Sequence, residues 1–242
     1  MRNDEPARAV VVQHTPRGDA GRFGDWLAAA GVALDVVRGF DGDTVPEDPA
    51  GRDAVVVLGG GFMPDDDARA PWLPATRALV AAALRADVPV FGICLGGQLL
   101  AQVAGGSVAA NTGRPEIGST PITLRPEAAG DPLFRDLVSP APAIERHVDA
   151  ITALPPGATW LAETAACRYQ AFRVGRAAWG VQFHPEVAAD RVRGWDPSRV
   201  RAHGLDPAAL HRRAVADESA AVVAWRTVAD RFAAVVRAAA GA

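Results

Sequence analysis

Only two cysteines occur in this chain of 242 residues, and one of them, Cys94, lies between glycines in FGICLGGQLL, residues 91–100. Gly92 and Gly96 give it the spacing of a nucleophile elbow, a tight strand-to-helix turn that needs small neighbours and lifts the side chain above a sheet. A thiol at a helix N-terminus also feels the positive end of the helix dipole, which favours the thiolate. Taken alone, the spacing fits a small packed core cysteine equally well. A second stretch, AAWGVQFHPE at residues 177–186, ends in His184, Pro185 and Glu186. Histidine supplies a base near neutral pH, and a carboxylate two residues on can hold its ring in one orientation and tautomer. Alone, His-Pro-Glu reads as an ordinary loop; beside a cysteine elbow it reads as the partner of an activated thiol.

Both groups need elements that bring them to one crevice. Short β-branched runs alternate along the chain with alanine- and leucine-rich stretches: ARAVVVQH and VALDVV predict strands around a helix in DAGRFGDWLAAAG. RDAVVVLGGG repeats the strand-to-glycine pattern, WLPATRALVAAALRAD predicts a crossover helix, and VPVFGIC predicts a strand buried on both faces. This is the rhythm of an α/β fold with a mostly parallel sheet. It puts Cys94 at the carboxyl end of a central strand, where open α/β sheets form their ligand crevices. LGGQLLAQVAGG then reads as a short helix stopped by Gly105 and Gly106. AAWGVQFHPE predicts a further strand, with proline ending the ladder so that His184 and Glu186 both face the crevice.

GICLGGQLLA and GVQFHPE together, in this order, resemble the two signatures of the class I, triad-type, glutamine amidotransferase family. The resemblance runs from the first strand to about residue 190. PEIGSTPITL, RHVDAITALPPGA and YQAFRVG bring it closest to stand-alone proteins that look like the amidotransferase domain of GMP synthase. It implies a three-layer αβα sandwich with Cys94 as nucleophile, His184 as general base and acid, and Glu186 orienting the histidine. The chemistry implied is attack of the Cys94 thiolate on the γ-carboxamide of glutamine or a γ-glutamyl compound, loss of the amine, and hydrolysis of a glutamyl thioester. Gly59 and Gly60 in LGGG, with Leu95 at the start of the helix, are the expected oxyanion donors. Gln98, one helical turn beyond Cys94, is expected to contact bound glutamine. His147 and Asp149 in RHVD match a His-x-Asp segment near the site in similar proteins, although a surface turn is an equal reading.

The remaining features bound the function. A formal net charge of −3, with arginine as the only long-chain basic residue, gives no nucleic-acid face. No apolar run is long enough to span a bilayer, MRNDEPARAV lacks the core of a signal peptide, and two cysteines make no disulfide framework. A cytoplasmic protein with reduced thiols is expected, with Cys167 as an ordinary loop thiol. The acidic run Asp65, Asp66 and Asp67 reads as a solvated loop, His14 and His203 have no ligand-spaced companions, and His211 sits in an arginine-rich helical stretch. Neither a metal nor any other cofactor is therefore expected. LGGG is not a phosphate loop, because no lysine exists to complete one. Residues 1–190 are expected to form the amidotransferase-like unit and 191–242 a helical extension of the same domain, closing in DESAAVVAWRTVADRFAAVVRAAA. Three functions share such a fold: a stand-alone hydrolase, an ammonia-donating subunit of a separate synthetase partner, and a catalytically silent binding protein. The filled Cys94, His184 and Glu186 positions argue against the last.

Overall fold

Runs of valine that cannot reach water on either face form the middle of the sheet. A computed structural model describes residues 6–112 and 115–241; residues 1–5, which belong to the stretch read for a signal peptide, lie outside the described residues, as do 113, 114 and 242. The strands are β1 (Ala7–Gln13), β2 (Val32–Arg38), β3 (Ala54–Val57), β4 (Val90–Ile93), β5 (Ser107–Ala109), β6 (Glu116–Leu124), β7 (Ala141–His147), β8 (Ala150–Ala153), β9 (Thr159–Glu163), β10 (Ala171–Val174) and β11 (Ala178–Val181). The helices are α1 (Gly21–Ala29), α2 (Leu73–Arg85), α3 (Leu95–Val103), α4 (Ala189–Arg193), α5 (Pro197–Ala202) and α6 (Pro207–Ala240). Every residue of β3, β4 and β11 is buried, as expected for strands covered on both faces.

The main sheet runs in the order β2-β1-β3-β4-β11-β10-β9-β6-β7. Its first half, from β2 to β11, is parallel, and this is the half that the strand–helix alternation anticipates. From β11 onward the pairings are antiparallel, through β10, β9, β6 and β7. These strands are harder to read from sequence, because Pro121 and Pro142 interrupt them and their apolar runs are short. β5 and β8 form a separate two-stranded ladder.

Helices cover the sheet on both sides, making three layers. On one face α1 and α6 bring Phe23, Leu27, Trp225 and Phe232 onto Phe91 and Trp179; Phe91 lies 4.7 Å from Phe23 and 5.3 Å from Phe232 between ring centroids. On the other, α2 and α3 contribute Leu79, Val80, Leu99 and Leu100 against Val55, Val57 and Val90. The long closing helix starts at Pro207, ten residues before the apolar repeat at Asp217. The reason is local: Asp206 caps it by accepting the N–H groups of Ala208 and Ala209, and proline suits the first helical turn. No helix among the described residues is long and apolar enough to cross a membrane.

Candidate active site

The site is built at the turn where β4 becomes α3. Cys94 caps that helix with φ 51° and ψ −105°, a left-handed conformation that costs of order 1–3 kcal/mol for a residue with a side chain. Its N–H donates to Val181 O at 2.8 Å, and its carbonyl accepts the N–H of Gln98 at 2.9 Å, so the elbow is held from β11 and from within α3. Gly96 makes the turn possible: a Cβ there would lie 2.0 Å from the Val57 carbonyl oxygen. No larger residue fits without moving β3.

Beyond the end of β11 the chain turns through Gln182 and Phe183 to His184. Its backbone N–H donates to Ile144 O at 2.8 Å, which ties this segment to β7. Nδ1 of His184 lies 2.7 Å from Glu186 Oε1. A carboxylate there accepts, so Nδ1 carries the proton and Nε2 is left for the thiol. The Cys94 and His184 side chains are neighbours. The loop that begins at Gly59 lies against both: a Cβ on Gly59 would be 2.9 Å from His184 Cε1 and 3.6 Å from Cys94 Cβ. Burial alone would lower the His184 pKa, but the charges of Glu186 and a Cys94 thiolate outweigh it and hold the imidazolium well above its ordinary range. A protonated His184 beside Cys94 is the partner that a cysteine nucleophile needs.

The supporting residues differ in part from expectation. Gln98 is buried and already engaged, with Nε2 donating to Asp149 O at 3.2 Å and to Gln182 Oε1 at 3.1 Å. Gln182 in turn aims Nε2 at Cys94 Sγ, at 3.5 Å. Sequence reasoning missed Gln182, although it stands two residues before His184 in the same motif. His147 is no surface residue: its Nδ1 is 3.0 Å from Asp149 O, and its Nε2 is 3.2 Å from Glu116 Oε2 and 3.3 Å from Glu145 Oε2. Burial would lower the His147 pKa, but the two carboxylates outweigh it and raise it to about 10. Glu116 and Glu145 were missed because they lie on β6 and β7, far from either motif.

Two further placements bear on the expectations. Cys167 lies in a loop and is buried there, in a turn closed by Thr164, whose Oγ1 accepts its N–H at 2.9 Å; burial raises its pKa strongly. The Asp65–Asp67 run is held by arginines, with Asp66 paired to Arg69 and Asp67 to Arg77, each at 2.7 Å. Gly60 packs beneath Leu95 and His14, where a Cβ would approach to 2.8 Å and 3.0 Å respectively. The Gly59–Gly60 backbone therefore runs beside the first turn of α3, whose leading N–H groups have no intrahelical partner.

The chain is similar to known proteins. Residues 25–193 match the family described as glutamine amidotransferase class-I. The glutamine amidotransferase-like protein YfeJ of Salmonella typhimurium is 31% identical over 190 residues, covering 77% of this chain and 79% of that protein. One subunit of the glutamine-hydrolysing GMP synthase of Natronomonas pharaonis is 37% identical over 150 residues, covering 62% of this chain and 73% of that polypeptide. Against a full GMP synthase, that of Porphyromonas gingivalis, identity is 38%, but the match spans only 26% of that protein's length. Among solved structures, a glutamine amidotransferase of Thermotoga maritima superposes with a TM-score of 0.83 at 26% identity, covering 94% of this chain and 98% of that one.

Proposed function

This chain belongs to the class I glutamine amidotransferase family, and we propose that it releases glutamate from the γ-carboxamide of glutamine or from a γ-glutamyl compound through a thioester on Cys94. The observation that carries this reading is the strained Cys94 elbow lying against a histidine whose other ring nitrogen is held by Glu186 at 2.7 Å. Strain of this kind persists where surrounding structure enforces it, and it clusters at working sites.

In this reading the Cys94 thiolate attacks the γ-carbonyl carbon, and negative charge moves to the carbonyl oxygen. In this reading the backbone N–H groups of Leu95 and Gly60 receive it; losing one such donor costs about 100-fold or more in rate. Imidazolium His184 then gives its proton to the departing nitrogen, which leaves as ammonia or an amine. The neutral ring next takes a proton from water as that water attacks the thioester, and glutamate departs with the thiol regenerated. Glu186 holds the ring in the tautomer that makes both transfers possible. Gln182 steadies the thiolate, and Gln98 orients Gln182; this places Gln98 behind the nucleophile, with substrate contact through Gln98 requiring its present bonds to rearrange.

Two destinations for the released nitrogen follow from the relatives. Similarity to the amidotransferase-like YfeJ over most of both chains fits a protein made of this one unit, and a stand-alone hydrolase is the reading we favour. Similarity to one subunit of a GMP synthase, a polypeptide in its own right, supports ammonia donation to a synthetase partner. Glutamate release from glutamine and from a panel of γ-glutamyl amines and peptides, measured on the purified chain with and without cell extract, separates them. Unaided turnover that Cys94→Ala abolishes supports the hydrolase. Activity with every substrate only when extract is added would give the partner-dependent reading its place.

A further inference from the structure

Behind the nucleophile, four side chains from separate segments converge in the dry interior: Glu116 at the start of β6, Glu145 and His147 on β7, and Cys167 in the turn before β10. Donor atoms of Glu116, His147 and Cys167 all lie within 4.8 Å of one another. His147 Nε2 is 3.2 Å from a Glu116 oxygen and 3.3 Å from a Glu145 oxygen. The tautomer follows from its other nitrogen. Nδ1 faces the Asp149 carbonyl, which can only accept, so Nδ1 carries a proton and Nε2 points at two carboxylates.

A proton or a metal ion must lie between Nε2 and the carboxylates. A proton is the simplest candidate, but one N–H aims well at one acceptor, and Glu116 Oε2 takes that bond. Glu116 also accepts from Thr164 Oγ1 at 2.7 Å and Gln170 Nε2 at 2.8 Å, whereas Glu145, 0% exposed and with its pKa raised by burial, is left with neither oxygen in a hydrogen bond of good geometry. An unpaired buried carboxylate is costly. A metal ion would draw on the Glu116, His147 and Cys167 donor atoms that lie together and on the Glu145 carboxylate beside Nε2.

We infer that Glu116, Glu145, His147 and Cys167 form a structural zinc site, distinct from the Cys94–His184–Glu186 group. Around a tetrahedral zinc, nitrogen and oxygen ligands at about 2.0–2.2 Å stand roughly 3.3–3.6 Å apart, close to the separations at Nε2; sulfur, at about 2.3 Å, closes in from slightly farther. The Nδ1–H bond to a backbone carbonyl is the usual outer support of a metal-bound histidine. Binding releases the Nε2 and thiol protons to solvent, and the ion's charge offsets two carboxylates and a thiolate. The site departs from the expectation of no metal because its ligands have no common spacing in sequence. It also reaches the catalytic end, since the Asp149 carbonyl that His147 supports accepts from Gln98, which orients Gln182 against Cys94.

The inference does not depend on the proposed reaction. The test is metal content and cobalt spectroscopy of the whole chain, expressed with zinc and desalted. Expected are about one zinc per chain and, after exchange with cobalt, a thiolate-to-cobalt charge-transfer absorption. Both should persist in Cys94→Ala, which rules out binding at the Cys94–His184–Glu186 group, and be lost in Cys167→Ala and Glu145→Gln. Should those variants fail to fold, the wild-type cobalt spectrum and Cys94→Ala still decide. No zinc or cobalt uptake, no thiolate band, or loss of the metal in Cys94→Ala would overturn the site and leave a protonated His147 shared by two carboxylates.

Discussion

Between His184 and Glu186 a single hydrogen bond decides which ring nitrogen faces Cys94. Replacing the carboxylate with an amide keeps the shape but removes the charge that stabilises the imidazolium. Because the His184 pKa is raised in the folded protein, the protonated form persists above pH 6.5 and is lost only as pH climbs through that raised value. Glu186→Gln should therefore move the alkaline limb of the kcat/KM profile to lower pH and cut the plateau by about 10- to 100-fold, a smaller loss than that of Cys94→Ala. An unmoved alkaline limb would show that Glu186 does not set the charge of His184. At this scale Cys94, His184 and Glu186 were legible because each lies inside a short local pattern. Gln182 looks like one more strand residue, and Glu145 and Cys167 have no visible partner in the sequence, since what gives them meaning lies across the fold.

The β4–α3 element depends on close backbone approach rather than on side-chain packing. A methyl on Gly96 would drive into Val57 O, which is main chain and cannot rotate away. Gly96→Ala should cost about 3 kcal/mol by overpacking, read as a lower urea midpoint at unchanged slope, and should abolish activity even where the protein remains folded. A fully active, equally stable variant would mean that the elbow relaxes without cost. The parallel half of the sheet was readable because its strands, buried on both faces, are continuous valine runs separated by helices. The antiparallel half was not, because Pro121 in β6 and Pro142 in β7 break the alternation and the pairing of Glu116 with His147 spans a long stretch of chain. Asp206-Pro207 marks the start of α6 in the sequence, but the apolar repeat that signals the helix most plainly begins later.

For the whole molecule, the end of β1 couples stability to pH. His14 is fully buried, its Nδ1 accepts from Trp72 Nε1 at 2.9 Å, and burial lowers its pKa to about 4. The folded protein thus keeps His14 neutral where the unfolded chain would protonate it. This contribution is fully present above pH 6.5 and is lost as pH falls toward 4, by about 3 kcal/mol in total. Urea unfolding across that range should show a decline that His14→Gln flattens; an equally steep decline in the variant would assign it to other groups. The same three-layer frame, closed by α6 over Phe91 and Trp179, carries the Cys94–His184–Glu186 group whose chemistry is the main conclusion. That conclusion is tested most directly by treating the folded protein with a glutamine analogue bearing an electrophilic carbon at the γ-position and locating the adduct by mass spectrometry. One adduct per chain on Cys94, formed in step with loss of glutamate release and suppressed by glutamine, is the expected result. An adduct on Cys167 or on neither cysteine, with turnover persisting in Cys94→Ala, would contradict it.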